Sequence, residues 1–142
     1  MTTGPFIIAV DFDGTCVDHR YPDVGHDVPG AVRALEEFVA RGAKIVLWTM
    51  RSSLNATDGD VLQPAIDWFN SRGIPLYGVN NTPEQDRWTM SPKAYAHIYI
   101  DDAAFGCPLH ENPRMGGMPY VDWSVIGPAV RDLIDRHYSK GL

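Results

Sequence analysis

Apolar and polar positions fall along this chain in blocks whose periods differ. Phe6 to Val10 is apolar without interruption, the pattern of a strand buried on both faces. From Pro29 to Arg41, Val32, Leu35, Phe38 and Val39 recur near helical spacing, and Gly42 stands where a left-handed residue ends a helix. Lys44 to Thr49, "KIVLWT", predicts a second buried strand. Leu62, Ala65, Ile66 and Phe69 mark one face of a helix that stops near Gly73, and a short strand is expected at Pro75 to Val79. The polar stretch Asn80 to Lys93 predicts a loop with a turn or two of helix, and Ala96 to Asp101, "AHIYID", a further strand. Asp102 to Val121 is rich in glycine and proline and reads as a long loop with room for a short strand; loops of that length tend to be functional or mobile. A last helix is expected from Asp122, its candidate cap, to Tyr138, with Ile126, Val130, Leu133, Ile134 and His137 along one side. Pro128 belongs in or near its first turn, because deeper placement removes a backbone bond.

Strands alternating with helices imply parallel pairing and helices on both sheet faces, an α/β fold with a three-layer, doubly wound sheet. With 142 residues, no repeat, no low-complexity tract and no linker, residues 1–142 are expected to form a single domain. Ligands of such sheets bind beyond the carboxyl ends of the strands, where the strand order reverses. The residues expected at those ends are Asp11, Thr49 and the pair Asp101-Asp102.

Composition narrows the functional classes. A formal charge of −6 and the lack of a basic stripe argue against a broad nucleic-acid surface. No apolar run approaches the roughly 20 residues needed to span a bilayer. The start "MTTGPF" lacks a basic region before an apolar stretch, so a cytoplasmic protein without membrane partners is expected. Cys16 and Cys107 are then expected as free thiols.

Three acids from the ends of two different strands would converge in one crevice and repel by several kcal/mol at close range. Any one of them alone reads better as a helix or turn cap. As a set they call for a divalent cation, and carboxylate and carbonyl oxygens are what magnesium prefers. Thr49 could donate to a phosphoryl oxygen, Arg51 could add a substrate contact, and Lys93 stands eight residues before Asp101. His19 and His26 read as solvated loop histidines, His97 as a strand residue, and Trp88 and Trp123 as packing residues. His110, in the loop that follows the acids, is a candidate for lining the pocket.

"DFDGT" after an apolar strand, then "LWT", a lysine and "IYIDD", resembles the haloacid dehalogenase superfamily, mainly magnesium-dependent phosphohydrolases. The resemblance runs from Phe6 to Asp102, and the Lys93 spacing looks like that of small nucleotidases and capless members. It implies Asp11 as a nucleophile that becomes an aspartyl-phosphate and also binds Mg2+. It implies Asp13 as general acid and base, with its carbonyl on the metal. Thr49 and Lys93 would hold phosphoryl oxygens, Gly14 would let the backbone pass close to the phosphate, and Asp101 and Asp102 would be metal ligands. Only about fifteen residues separate Asp13 from the first helix, so no cap domain is expected. The expected substrate is a small phosphomonoester, such as a nucleotide or a sugar phosphate. The open site suggests a bulky substrate or a homo-oligomer whose neighbour supplies a lid.

Two rivals stand beside this reading. A receiver domain also gathers acids, a threonine and a lysine, but its acidic pair is on the first strand and its lysine after the threonine on the last. Here the paired acids follow the lysine. The other rival is an inactive phosphate-binding or regulatory protein on the same fold; such forms lose a nucleophile or a metal acid, and none is lost here.

Overall fold

In the computed structural model, which describes residues 4–54 and 57–140, the apolar runs become short strands side by side. These are β1 (Ile7–Val10), β2 (Lys44–Leu47), β3 (Leu76–Val79) and β4 (Ile98–Ile100). They form one sheet in the order β3-β2-β1-β4, and every pairing is parallel. Parallel neighbours need crossovers rather than hairpins. Helix α1 (Ala31–Ala40) joins β1 to β2, and α2 (Leu62–Ser71) joins β2 to β3. The chain then passes to the far side of β1 to lay down β4.

Successive strand residues point to opposite faces. Ile8, Val10, Ile45, Leu47 and Ile100 share one core with Leu35 and Phe38 of α1 and Ala65 and Phe69 of α2. Val130 and Ile134 of the last helix, α3 (Trp123–Ser139), join the same core. α3 packs on α1, and at Gly127 a Cβ would stand an ordinary contact distance, 3.7 Å, from that of Ala34. Segment 80–97 covers the opposite face of the sheet. There the Tyr99 hydroxyl donates to the Ala94 carbonyl, Trp48 meets Tyr99 edge-on at 6.3 Å, and the Ile7 N–H donates to His97 Nδ1 at 3.0 Å.

The result is the expected three-layer α/β fold, with one difference in make-up. The second outer layer has a single 3₁₀ turn, Gln85–Arg87, in place of an α-helix. Pro83 and Pro92 interrupt that segment, and Asn80 and Glu84 take left-handed conformations (φ 53° and 69°), which no helix allows.

After β4 the chain forms β5 (Leu109–His110) and β6 (Tyr120–Val121), a small antiparallel pair within the expected loop. Asp122 caps α3, its Oδ1 accepting the Ser124 N–H at 3.1 Å. Pro128 is the sixth residue of α3, a turn deeper than expected, and costs the helix the bond to the Ser124 carbonyl. Residues 11–30 and 48–61 link strands to helices without any α-helix of their own among the described residues. No described helix is long and apolar enough to cross a membrane.

Candidate active site

The strand order reverses at β1, which sends the chain to β2 on one side and receives β4 on the other. In parallel α/β sheets that reversal opens a crevice beyond the strand ends. The Asp11 N–H donates to the Ile100 carbonyl at 2.9 Å, extending the β1–β4 ladder by one residue and bringing Asp11 beside Asp101 and Asp102. One carboxylate oxygen from each of these three lies within 4.8 Å of the others, all half-buried.

No lysine or arginine among the described residues pairs with them. Burial, a hydrogen bond to Asp102 and the charge of Asp101 therefore push the Asp11 carboxyl up to about 8, against the pull of the Thr15 hydroxyl. Burial likewise raises Asp101, opposed by the Ala103 N–H on its Oδ1. The donor set is oxygen only, crowded and short of positive charge. Such a set could hold a hard cation.

The turn after β1 aims these groups. Thr15, fully buried, donates to Asp11 Oδ2 at 2.9 Å and accepts the Asp102 N–H at 3.3 Å, so a single hydroxyl ties both strand ends together. Trp123 of α3 holds that residue from below, its Nε1 donating to the Thr15 carbonyl at 2.8 Å. Gly14 has φ 82°, and a Cβ on it would lie 2.1 Å from His19 Nε2 and 2.3 Å from Asp102 Oδ2. Only glycine leaves room there for the 2.8 Å His19–Asp102 hydrogen bond.

The Asp13 carboxylate is held by Arg51 and is not one of the three clustered acids. Its two oxygens accept from Arg51 Nε and Nη2, both at 2.8 Å. The remaining Arg51 donors go to the carbonyls of Pro22 (3.2 Å), Val61 (2.8 Å) and Asp23 (2.9 Å). A guanidinium has five N–H groups, and all five are used here in a side chain 2% exposed. The expectation of a substrate contact is corrected on that ground: Arg51 has no donor left to offer. No side-chain oxygen of Asp13 belongs to the cluster of three, and the ligand expected from this residue is its backbone carbonyl.

Other expected residues are placed less centrally. Thr49, just past β2, gives its N–H to Asn80 Oδ1 at 2.8 Å and accepts the Arg51 N–H on Oγ1 at 3.1 Å, which leaves its hydroxyl proton to donate. Lys93 is exposed, with Nζ 5.6 Å from the Tyr99 ring centre, and makes no ion pair with the acids. His110 lies exposed on β5 against Tyr120, with no bond to the three carboxylates. Trp88 is exposed with its edge on Tyr95, whereas Trp123 is buried as expected of a packing residue. Both cysteines are free thiols, and the buried Cys16 is raised well above its ordinary value by burial.

Sequence reasoning missed His19, Asp18 and the inward role of Arg51. Asp18, 1% exposed, accepts the His26 N–H at 2.8 Å, while its own N–H donates to the His26 carbonyl at 2.9 Å. These bonds close residues 18–26 into a built loop that carries His19 to Asp102. A histidine among loop acids gave no signal of this, since its partner is 83 positions away.

A conserved protein of Bacteroides thetaiotaomicron, known as a solved structure, superposes on this chain with a TM-score of 0.69 and 34% identity, over 91% of this chain and 92% of that one. The two chains belong to one family. No family model matches the sequence, and no curated protein does. Shared identity at that level over nearly the whole length extends the three-layer parallel fold to the Bacteroides protein.

Proposed function

We propose that this protein is a magnesium-dependent phosphohydrolase of the haloacid dehalogenase type, without a cap domain, acting on phosphomonoesters in the cytoplasm. The observation that carries the reading is the placement of Asp11, Asp101 and Asp102 within 4.8 Å of one another at the reversal of strand order. Asp11, Asp101 and Asp102 would hold the cation, which when bound offsets charge on the phosphoryl oxygens.

Asp11 has the position and support of a nucleophile: Thr15 fixes one carboxylate oxygen, which sets the direction of the other. That oxygen attacks phosphorus, the ester P–O bond breaks, and the leaving oxygen takes a proton from Asp13. Water then attacks phosphorus, Asp13 takes a proton from it, and phosphate leaves with Asp11 restored. Thr49 would donate its hydroxyl proton to a phosphoryl oxygen. Lys93 would have to swing from the Tyr99 ring to do the same. His19 orients Asp102 as a hydrogen-bonding partner of a ligand.

The test is phosphate release from a panel of nucleotides, sugar phosphates and aryl phosphates, with magnesium or with chelator. Turnover that needs magnesium and vanishes in Asp11→Asn is expected. Folded, magnesium-binding protein that releases phosphate from none of them would favour an inactive phosphate-binding protein on the same fold.

A further inference from the structure

We infer that Arg51 is a positioning residue: it fixes the plane of the Asp13 carboxylate for proton transfer and ties that plane to loop 18–26. The inference rests on the phosphohydrolase reading above and assigns the orientation of its proton donor.

A lone surface aspartate turns freely about two bonds. Asp13 cannot, because a planar guanidinium meets both of its oxygens at 2.8 Å and fork-to-fork pairing fixes their common plane. Arg51 is itself immobile. Its guanidinium lies 5.1 Å from the Phe12 ring centre on one contact and 5.2 Å from the Tyr21 ring centre on another. Its other donors end on carbonyls of Pro22, Asp23 and Val61, the first two in loop 18–26 and the third at the start of α2.

Burying a guanidinium is costly, and five satisfied donors are what offset that cost. The chain spends this interaction on one acid of the "DFDGT" motif, two residues from Asp11. A carboxylate has about four lone-pair sites, and the fork occupies two. The remaining two lie on the edges away from Arg51, so the clamp also selects the side from which a leaving oxygen can be met. Loop 18–26 meets the same site a second time through His19 on Asp102. One loop thus registers both the proton donor and an acid of the metal cluster.

A residue that acts through the proton donor matters only where the leaving group needs a proton. In Arg51→Lys the charge stays but the fork is lost. The variant should lower kcat roughly 10- to 100-fold for an alkyl phosphate and less than about 3-fold for p-nitrophenyl phosphate, whose leaving oxygen needs no proton, with little change in KM. In an Asp13→Asn background the same substitution should add almost nothing for the alkyl ester. Arg51→Gln, a planar neutral donor, serves as the second variant should the lysine form not unfold cooperatively.

Equal losses on both substrates, or a loss that persists in full without the Asp13 carboxyl, would show Arg51 to be structural and overturn the inference. A wild-type protein that releases phosphate from no member of the panel above would overturn the proposed function, and this inference with it. The two failures are therefore told apart by the wild-type control.

Discussion

Replacing Asp11 by asparagine should stabilise the cation-free protein, by an amount that grows with pH. Asparagine keeps the shape of the side chain and an oxygen for the Thr15 hydroxyl. It removes a carboxyl raised from 3.8 to about 8 by burial and the neighbouring aspartates. In the unfolded chain that carboxyl ionises at its ordinary value. Between the two pH values the folded state therefore holds more protons than the unfolded one, and stability falls as pH rises. At about 1.4 kcal/mol per unit, the penalty is near zero at pH 4, on the order of 4 kcal/mol at pH 7, and constant above pH 8. Coulomb's law gives a similar size: two charges no more than 4.8 Å apart repel by at least roughly 3 kcal/mol at an effective dielectric constant near 20. Urea unfolding in chelator at pH 4.5, 7 and 8.5 measures the difference directly, and added magnesium should close it by stabilising the wild type. A variant as stable as wild type at every pH, or less stable at pH 8.5, would refute the reasoning.

The same geometry supports further tests. Gly14→Ala should lose about 3 kcal/mol, from left-handed strain and the displaced His19–Asp102 bond, seen as a fall of roughly 10 °C in Tm and weaker magnesium binding by calorimetry. An unchanged Tm would mean that the turn has room for a Cβ. His97 is lowered from its usual value, chiefly by burial and then by the charge of His137, so its contribution to stability is present at neutral pH and lost as pH falls. Its Nδ1 accepts the Ile7 N–H, which protonation would break. Exchange of the Ile7 amide should quicken at pH 5 relative to the intrinsic rate, and unchanged protection would count against this account.

Much of the fold could be read from period alone. Continuous apolar runs such as Phe6–Val10 and Ile45–Leu47 have no polar face and are too short for a helix, and the structure pairs them as parallel interior strands. Asp122 was legible as a cap because a short acid stood directly before helical spacing. Pro128 was misplaced because packing against α1 holds α3 helical through a proline whose local preference is to break it. Asn80 to Lys93 was legible as polar, but not as part of the layer that covers the sheet, since that depends on Tyr99 of β4 and Trp48 just past β2.

At the site, Asp11, Asp101 and Asp102 were legible because the carboxyl ends of parallel strands meet at one edge. Arg51 was misjudged because an arginine just beyond a strand end usually reaches solvent. Nothing local announces that Asp13, 38 residues earlier, will claim it. His19 was hidden for the same reason, its partner lying on the far side of the strand reversal.

A phosphoryl group on Asp11, beside a cation held by Asp101 and Asp102, is the state on which the proposed reaction turns. Beryllium fluoride mimics a phosphoryl group on a carboxylate and can be followed by 19F NMR. A bound fluoroberyllate resonance is expected that forms only with magnesium present, persists in Thr49→Val at reduced affinity, and is absent from Asp11→Asn. A resonance unchanged in Asp11→Asn, or none in the wild type with saturating magnesium, would contradict it.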